Sequence, residues 1–305
     1  MTEEQYIKNL TVPEGKIDVI LDTDAYNEID DQFAIAYMLK NKEKLNVKAF
    51  CAAPFYNINS SSPEEGMEKS FDEIKHILNL MSIDDVPVYK GSRDYLKDEN
   101  TPQESEAADF MAELSKNYSA EKPLYIVAIG AITNVASAIL KNPEMKENTV
   151  IVWLGGHGAH MPRNDEFNLK QDIAAARAVY SSGVPVVILP CAGVVSQFYI
   201  SGPELKYWLK GKNKISDYLA ENTISAAEKY GKGKAWSRVI WDVTAVAWLL
   251  NENRRFMYDK ITPIPMPEYN YTYSFDETRH KCCYIYYIQR DSLMTDLINK
   301  LTEGN

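Results

Sequence analysis

Residues 19–40 read VILDTDAYNEIDDQFAIAYMLK. The segment opens as a short apolar, β-branched run and passes through a loop holding Asp22, Asp24, Glu28, Asp30 and Asp31. It closes on an amphipathic run of helical period. Strand, acidic loop and helix in that order make half of a βαβ unit, and the flanking sequence repeats the pattern. DVILDTD (18–24), VKAFCAAP (47–54), LYIVAIG (124–130), VIVWLGG (150–156) and PVVILPC (185–191) are continuous apolar runs, the signature of strands buried on both faces of a parallel sheet.

Helical patterns lie between them. SPEEGMEKSFDEIKHILNLM begins with Ser62 as N-cap, Pro63 in the first turn and Glu65 completing a capping box. Another helix runs from about Asp172 to Gly183, and a further one follows Asp242 in DVTAVAWLLNEN. The alternation predicts an α/β fold, a mostly parallel open twisted sheet with helices on both faces. At the tail, EYNYTYSF alternates tyrosine with polar residues and DETRHK turns the chain into CCYIYYI, which predicts a C-terminal hairpin. No linker-like stretch divides the 305 residues, so residues 1–305 are expected to form a single domain.

The chain carries 33 Lys plus Arg against 43 Asp plus Glu, a formal net charge of −10, which disfavours nucleic acid and anionic membrane partners. Its 45% hydrophobic and 25% charged content is that of a chain with a large core. Cys51, Cys191, Cys282 and Cys283 form no CxxC pair and sit in apolar contexts, pointing to buried thiols in a reducing compartment. No leader-like or membrane-length apolar segment is visible, and a cytoplasmic protein is expected.

Ligands of open α/β sheets bind beyond the carboxyl ends of the strands, so the residues after each apolar run matter most. After DVIL come the aspartates. Several carboxylates in one loop repel one another unless a cation sits among them, and an all-oxygen set selects a hard ion such as Ca²⁺ or Mg²⁺. Alternatively, Asp30 or Asp31 caps the helix and the others are solvated. After LYIVAIG come Thr133 and Asn134; after VIVWLGG comes HGAHMPRNDEFN. His157 and His160 are either loop residues bonded to backbone or substrate contacts. Glu166 and Asn168, two apart, share a side if extended and suit a polyol, since a carboxylate accepts from hydroxyls while an amide does both. Asp242, bracketed by large apolar residues, is either an N-cap or a distant member of a metal shell.

Taken in order, DTD, a following DD, a GxxTN segment, GG before EFN, and a late Asp before an Ala-containing helix resemble the inosine-uridine-preferring nucleoside hydrolase family, over about residues 18–252. NVKAF, VPVYKGS and EFNLKQDIAAARAVYSSGVPVVILP are similar to family segments as well. The resemblance implies a nucleoside hydrolase-like fold with a Rossmann-like core, and a homo-oligomer, dimer or tetramer. It implies Ca²⁺ held by Asp24, Asp31, Asp242 and the main-chain carbonyl of Thr133, with Asp24 as general base for a metal-bound water. Asp30, Glu166 and Asn168 would hold the sugar of a small-molecule riboside, with Asn57 another ribose contact and Asp22 a supporting acid. Such residues suit N-ribosidic cleavage, because negative charge around the sugar stabilises an oxocarbenium-like transition state.

Several positions depart from the family pattern. Its signature has the form DxDxxxDDxxA, whereas DTDAYNEIDDQFA has two further residues between the second and third aspartates. Trp241 replaces a His that commonly precedes the late Asp; indole can stack on a base but is no useful proton donor. His160 replaces an Asn six residues before the Glu, and with His157 or Tyr26 is a candidate to contact the substrate or donate a proton. PVVILPCAG stands where the family often has an LDVT-like sequence. The sugar end is kept and the base end is not, which predicts an unusual aglycone or a narrow substrate range. Two rivals remain: a Ca²⁺-dependent ribosyl-binding protein that has lost the acid, favoured by Trp241, and an aspartyl-nucleophile phosphatase, which needs a later Lys and a second acidic pair.

Overall fold

The computed structural model describes residues 1–303, the side chain of Tyr230 excepted. Twelve strands occur among them: β1 (Ile17–Thr23), β2 (Leu45–Ala52), β3 (Val88–Lys90), β4 (Leu124–Ala128), β5 (Thr149–Leu154), β6 (Val186–Leu189), β7 (Tyr199–Ser201), β8 (Ser237–Val239), β9 (Met257–Pro263), β10 (Met266–Pro267), β11 (Tyr273–Ser274) and β12 (Lys281–Ile288). Eight form one sheet in the order β3-β2-β1-β4-β5-β6-β12-β9, parallel throughout except for β9 against β12. Successive residues alternate between two buried faces. Leu21, Val127, Val152 and Val187 pack into one apolar layer and Ile20, Ile126, Ile151 and Ile188 into the other. Full burial of each such side chain contributes roughly 1.5–3 kcal/mol, so the continuous apolar runs need helices on both sides.

The chain pairs β1 with β2 on one side and, after β3, returns to pair β4 with β1 on the other. That reversal opens a crevice beyond the carboxyl ends of β1 and β4. Asp22, Thr23 and Asp24 lie on its rim at the end of β1, and helix Asp30–Lys40 starts just beyond. The helix is not the amphipathic one expected. Asp30 through Met38 are all buried, because helices Val243–Trp248 and Arg290–Thr302 pack against it in addition to the sheet.

Ser62 caps helix Pro63–Leu80 by accepting from Glu65 N–H at 3.1 Å, but the Glu65 carboxylate returns to the Ser61 N–H, one residue before the capping-box position. The C-terminal antiparallel strands are present with a different pairing from the one expected. β12 takes β9 as its antiparallel neighbour and β6 as a parallel one, while EYNYTYSF supplies β11, which pairs with β10 in a small separate ribbon. A second ribbon, β7 with β8, carries the chain back over the crevice and delivers Trp241 and Asp242 to it. No helix among the described residues is long and apolar enough to cross a membrane. All four cysteines are buried and unpaired.

Candidate active site

Beyond the ends of β1, β4 and β5 lies a cavity of about 270 Å³, just below the ~300–1,000 Å³ usual for ligand sites. Asp24, Asp30, Asp31 and Asp242 line one wall; Glu166, Asn168 and His157 line another; Trp241 and Cys191 complete it. Carboxylate oxygens of Asp30, Asp31 and Asp242 lie within 4.8 Å of one another. Neither Asp30 nor Asp31 caps its helix: Ile29 holds the N-cap position, and no side chain caps there. Asp242 does sit at the N-cap of Val243–Trp248, yet makes no capping bond, leaving its carboxylate to the cluster.

The acids have distinct partners. Asp31 Oδ1 accepts from the Thr23 hydroxyl, and Asp30 Oδ2 from the Trp241 N–H at 3.1 Å. Asp24 Oδ2 is buried with no hydrogen-bond partner. Gly130 leaves room for this carboxylate; a Cβ there would come 3.0 Å from Asp24 Oδ1. Asp22 sits beneath, its Oδ1 accepting from Asn134 Nδ2 at 2.8 Å, its Oδ2 unpartnered. Burial drives every carboxyl in this group upward. Asp24 is raised well above its ordinary range by burial, then by Asp31 and Asp30; Asp30 by burial, Glu28 and Asp31; Asp242 by burial, Asp30 and Asp31. Asp31 is pushed up to about 6 by burial, against hydrogen bonds from Thr23 and Asp242. Asp22 rises to about 7, also from burial. Glu28 is paired with Arg238 at 2.6 Å.

This donor set fits a divalent cation: hard oxygens only, like charges forced together out of water, and one carboxylate oxygen with nothing else to bond.

Glu166 is the N-cap of Phe167–Gln171. Its Oε1 accepts from Asn168 N–H, and its Oε2 from Leu169 and Gly156 N–H, all at 2.9 Å. Burial still raises it. With three of about four lone-pair positions taken, one remains for a ligand hydroxyl. Gly156, at φ 76°, turns its N–H toward Glu166 in a conformation that favours glycine. Asn168 Nδ2 donates to the carbonyls of Ile129 and Leu154 at 3.0 and 3.1 Å, tying its amide to β4 and β5. The two residues therefore meet as expected, by a helix cap rather than an extended pair.

Four expected contacts are not on the cavity lining, Tyr26 among them, which is exposed beside the adjoining cleft. Thr133 is buried and gives its hydroxyl to Asp172 Oδ2 at 2.7 Å. Asn57 donates to Asn27 Oδ1 and accepts from Asn59 N–H, so its amide braces Asn27 from the adjoining cleft instead of facing the crevice. His160 is exposed and lies over Gly158 and Gly193, turned away by the bend of its loop. Asn27, Ile129, Leu154 and Cys191 line the cavity and were not expected. Leu154 ends β5, and Ile129 and Cys191 lie just past the ends of β4 and β6, so the strand-end rule that found the aspartates also reaches them.

Residues 19–285 match the family described as inosine-uridine preferring nucleoside hydrolase. The chain is 29% identical over 261 residues to a pyrimidine-specific ribonucleoside hydrolase RihA of Salmonella paratyphi A, covering 76% of this chain and 79% of the relative. It is 30% identical over 263 residues to the protein of the same name from Escherichia coli O7:K1, with the same shares. Its fold is similar to a plant nucleoside hydrolase, PpNRh1, at a TM-score of 0.75 and 19% identity, covering 96% of this chain and 100% of that one. A purine-preferring ribonucleoside hydrolase from Gardnerella vaginalis is similar at a TM-score of 0.73 and 21% identity, covering 93% and 98%.

Proposed function

This chain belongs to the inosine-uridine preferring nucleoside hydrolase family, hydrolases of N-ribosidic bonds, and we propose that it cleaves a small riboside to ribose and free base with a divalent cation, Ca²⁺. The observation that carries this proposal is Asp24 Oδ2, buried and unpartnered among the carboxylates of one cavity. Asp24, Asp31 and Asp242 would hold the ion, without the Thr133 carbonyl, since Thr133 lies off the cavity lining. When bound, it supplies charge that lowers the pKa of water and fixes sugar hydroxyls.

The chain's own residues do the rest. Asp24 takes the proton of the attacking water, its Oδ2 being free of any protein partner. One oxygen of Asp30 is tied to the Trp241 N–H, which orients the other toward ribose hydroxyls. Glu166 accepts from a sugar hydroxyl through its remaining lone pair, and Asn168 offers Oδ1 because its N–H₂ is committed to the sheet. As the C1′–N bond stretches, positive charge grows on the sugar and this acidic wall stabilises it more than the ground state. A single domain, cytoplasmic residence and assembly as a dimer or tetramer complete the proposal, the assembly checked by light scattering.

Trp241 keeps a second reading in play, a ribosyl-binding protein without turnover. A phosphatase fits less well, since no Lys lines the cavity among the described residues. The deciding experiment follows release of nitrophenol from p-nitrophenyl riboside with and without Ca²⁺. Turnover that falls by about 10³-fold or more in Asp24→Asn supports the hydrolase; saturable riboside binding without release by the wild-type protein supports the binder.

A further inference from the structure

The tyrosine-rich stretch EYNYTYSF contributes nothing to the cavity lining, yet it grips the loop from Gly156 to Asn164 that leads into Glu166. The Asn164 N–H donates to the Tyr271 carbonyl at 2.8 Å. Tyr271 presents that carbonyl from the left-handed region, φ 63°, where a bulky residue is strained. The half-buried Tyr273 puts its hydroxyl over Gly156, in the space a Cβ would fill, and beside the Asn164 side chain. From β12, the Tyr284 hydroxyl accepts from the Ala159 N–H at 2.8 Å.

The ribbon of β10 and β11 is itself fixed. Arg177, on helix Ile173–Ser181, donates to the Pro267 carbonyl at 2.9 Å and pairs with Glu268 at 3.1 Å. That helix follows directly on Phe167–Gln171, which Glu166 caps. A ring of contacts therefore closes, from helix to β10, from β11 to Gly156 and Asn164, and from Gly156 back to Glu166. Gly156 is its chemical link: the Gly156 N–H, at φ 76°, donates to Glu166 Oε2 at 2.9 Å, and the adjacent His157 N–H donates to Asn164 Oδ1 at 2.5 Å. A peptide without a side chain turns freely about φ, so a neighbour must hold that N–H in line. The Tyr273 hydroxyl is the neighbour in place.

We propose that Tyr273 is a positioning residue for Glu166: its hydroxyl holds the Gly156 peptide, the Gly156 N–H holds Oε2, and the remaining lone pair of the carboxylate is thereby aimed at a sugar hydroxyl. The proposal rests on Glu166 being a sugar contact in a riboside hydrolase, as read above. Tyr273 touches no substrate and moves no proton. Without its hydroxyl, Glu166 keeps its charge but is free to swing. The loss then grows with the positive charge on the sugar and falls on kcat more than on KM.

The test is a double-variant cycle on p-nitrophenyl riboside with Ca²⁺ present, measuring kcat and KM for wild type, Tyr273→Phe, Glu166→Gln and the two combined, with a melt of each. Tyr273→Phe should lower kcat on the order of 10-fold with KM within about threefold, the scale of one misaligned hydrogen bond to a charged group. It should cost nothing further when Glu166→Gln is already present, since the two act through one carboxylate. An unchanged kcat in Tyr273→Phe overturns the proposal, and so does a loss that multiplies in full onto that of Glu166→Gln. A Tyr273→Phe protein that melts far below wild type makes the hydroxyl a structural prop and overturns it as well. Wild-type protein inert toward the riboside defeats the hydrolase reading instead; the same cycle titrated with ribose then reads the coupling as affinity, and full additivity there overturns the positioning role.

Discussion

Stability of the metal-free protein should rise as the solution is acidified from about pH 8 to about pH 5, the reverse of ordinary acid denaturation. An acid whose pKa is raised on folding holds its proton more tightly in the native state. The native chain then takes up protons between the ordinary carboxylate range, near 4, and the raised value, so stability present below that window is lost as pH climbs through it. Asp31 is pushed up to about 6 and Asp22 to about 7, from an ordinary 3.8. At ~1.4 kcal/mol per unit these shifts correspond to about 3 and about 4 kcal/mol, against a net stability of only ~5–15 kcal/mol. Asp24, Asp30 and Asp242 shift the same way.

Because these carboxylates titrate together, about 4 kcal/mol is the working figure for the whole window, or roughly 5–10 °C in Tm for a chain of this size. Carboxylates with lowered pKa, such as Glu65 and Asp165, lose their contribution only as pH falls below the ordinary range, outside this window. His280, lowered by burial, subtracts a little below about pH 6.5. The assay is a set of calorimetric melts in chelator across the window, repeated with saturating Ca²⁺, which should lift Tm most at the alkaline end by binding only the folded chain. A chelated Tm that is flat, or that climbs with pH, would refute the picture of a buried, uncompensated acid cluster.

Two further outcomes are expected. His160→Ala should leave kcat/KM within about threefold of wild type in the nitrophenyl riboside assay, since the ring is exposed and off the cavity wall. Glu166→Gln should lower stability by about 2 kcal/mol in denaturant melts and weaken sugar binding, because an amide N–H₂ must face at least one of the buried N–H groups of Gly156, Asn168 and Leu169.

How far each feature could be read in advance follows from what the residues face. Strands such as Leu124–Ala128 and Thr149–Leu154 are buried at every position, so they appear as unbroken apolar runs that no exposed segment imitates. Met257–Pro263 is the sheet's edge, with Tyr258, Lys260 and Ile261 exposed. Its mixed, Pro-ended sequence carries no such mark, and the tyrosine alternation of EYNYTYSF was the stronger but misleading signal for the partner of β12. The acids were legible for a related reason: a carboxylate beside a buried strand needs a partner, and four in succession call for a cation. His157 and His160 could not be ranked, because the difference between them lies in the Ala192 N–H, 35 residues downstream, which orients one ring toward the cavity. Glu28, the only charge of the AYNEI stretch between Asp24 and Asp30, ends in an ion pair with Arg238 from the β8 ribbon. That pair ties the acid loop to the ribbon that leads into Trp241, so the two departures from the family pattern are joined.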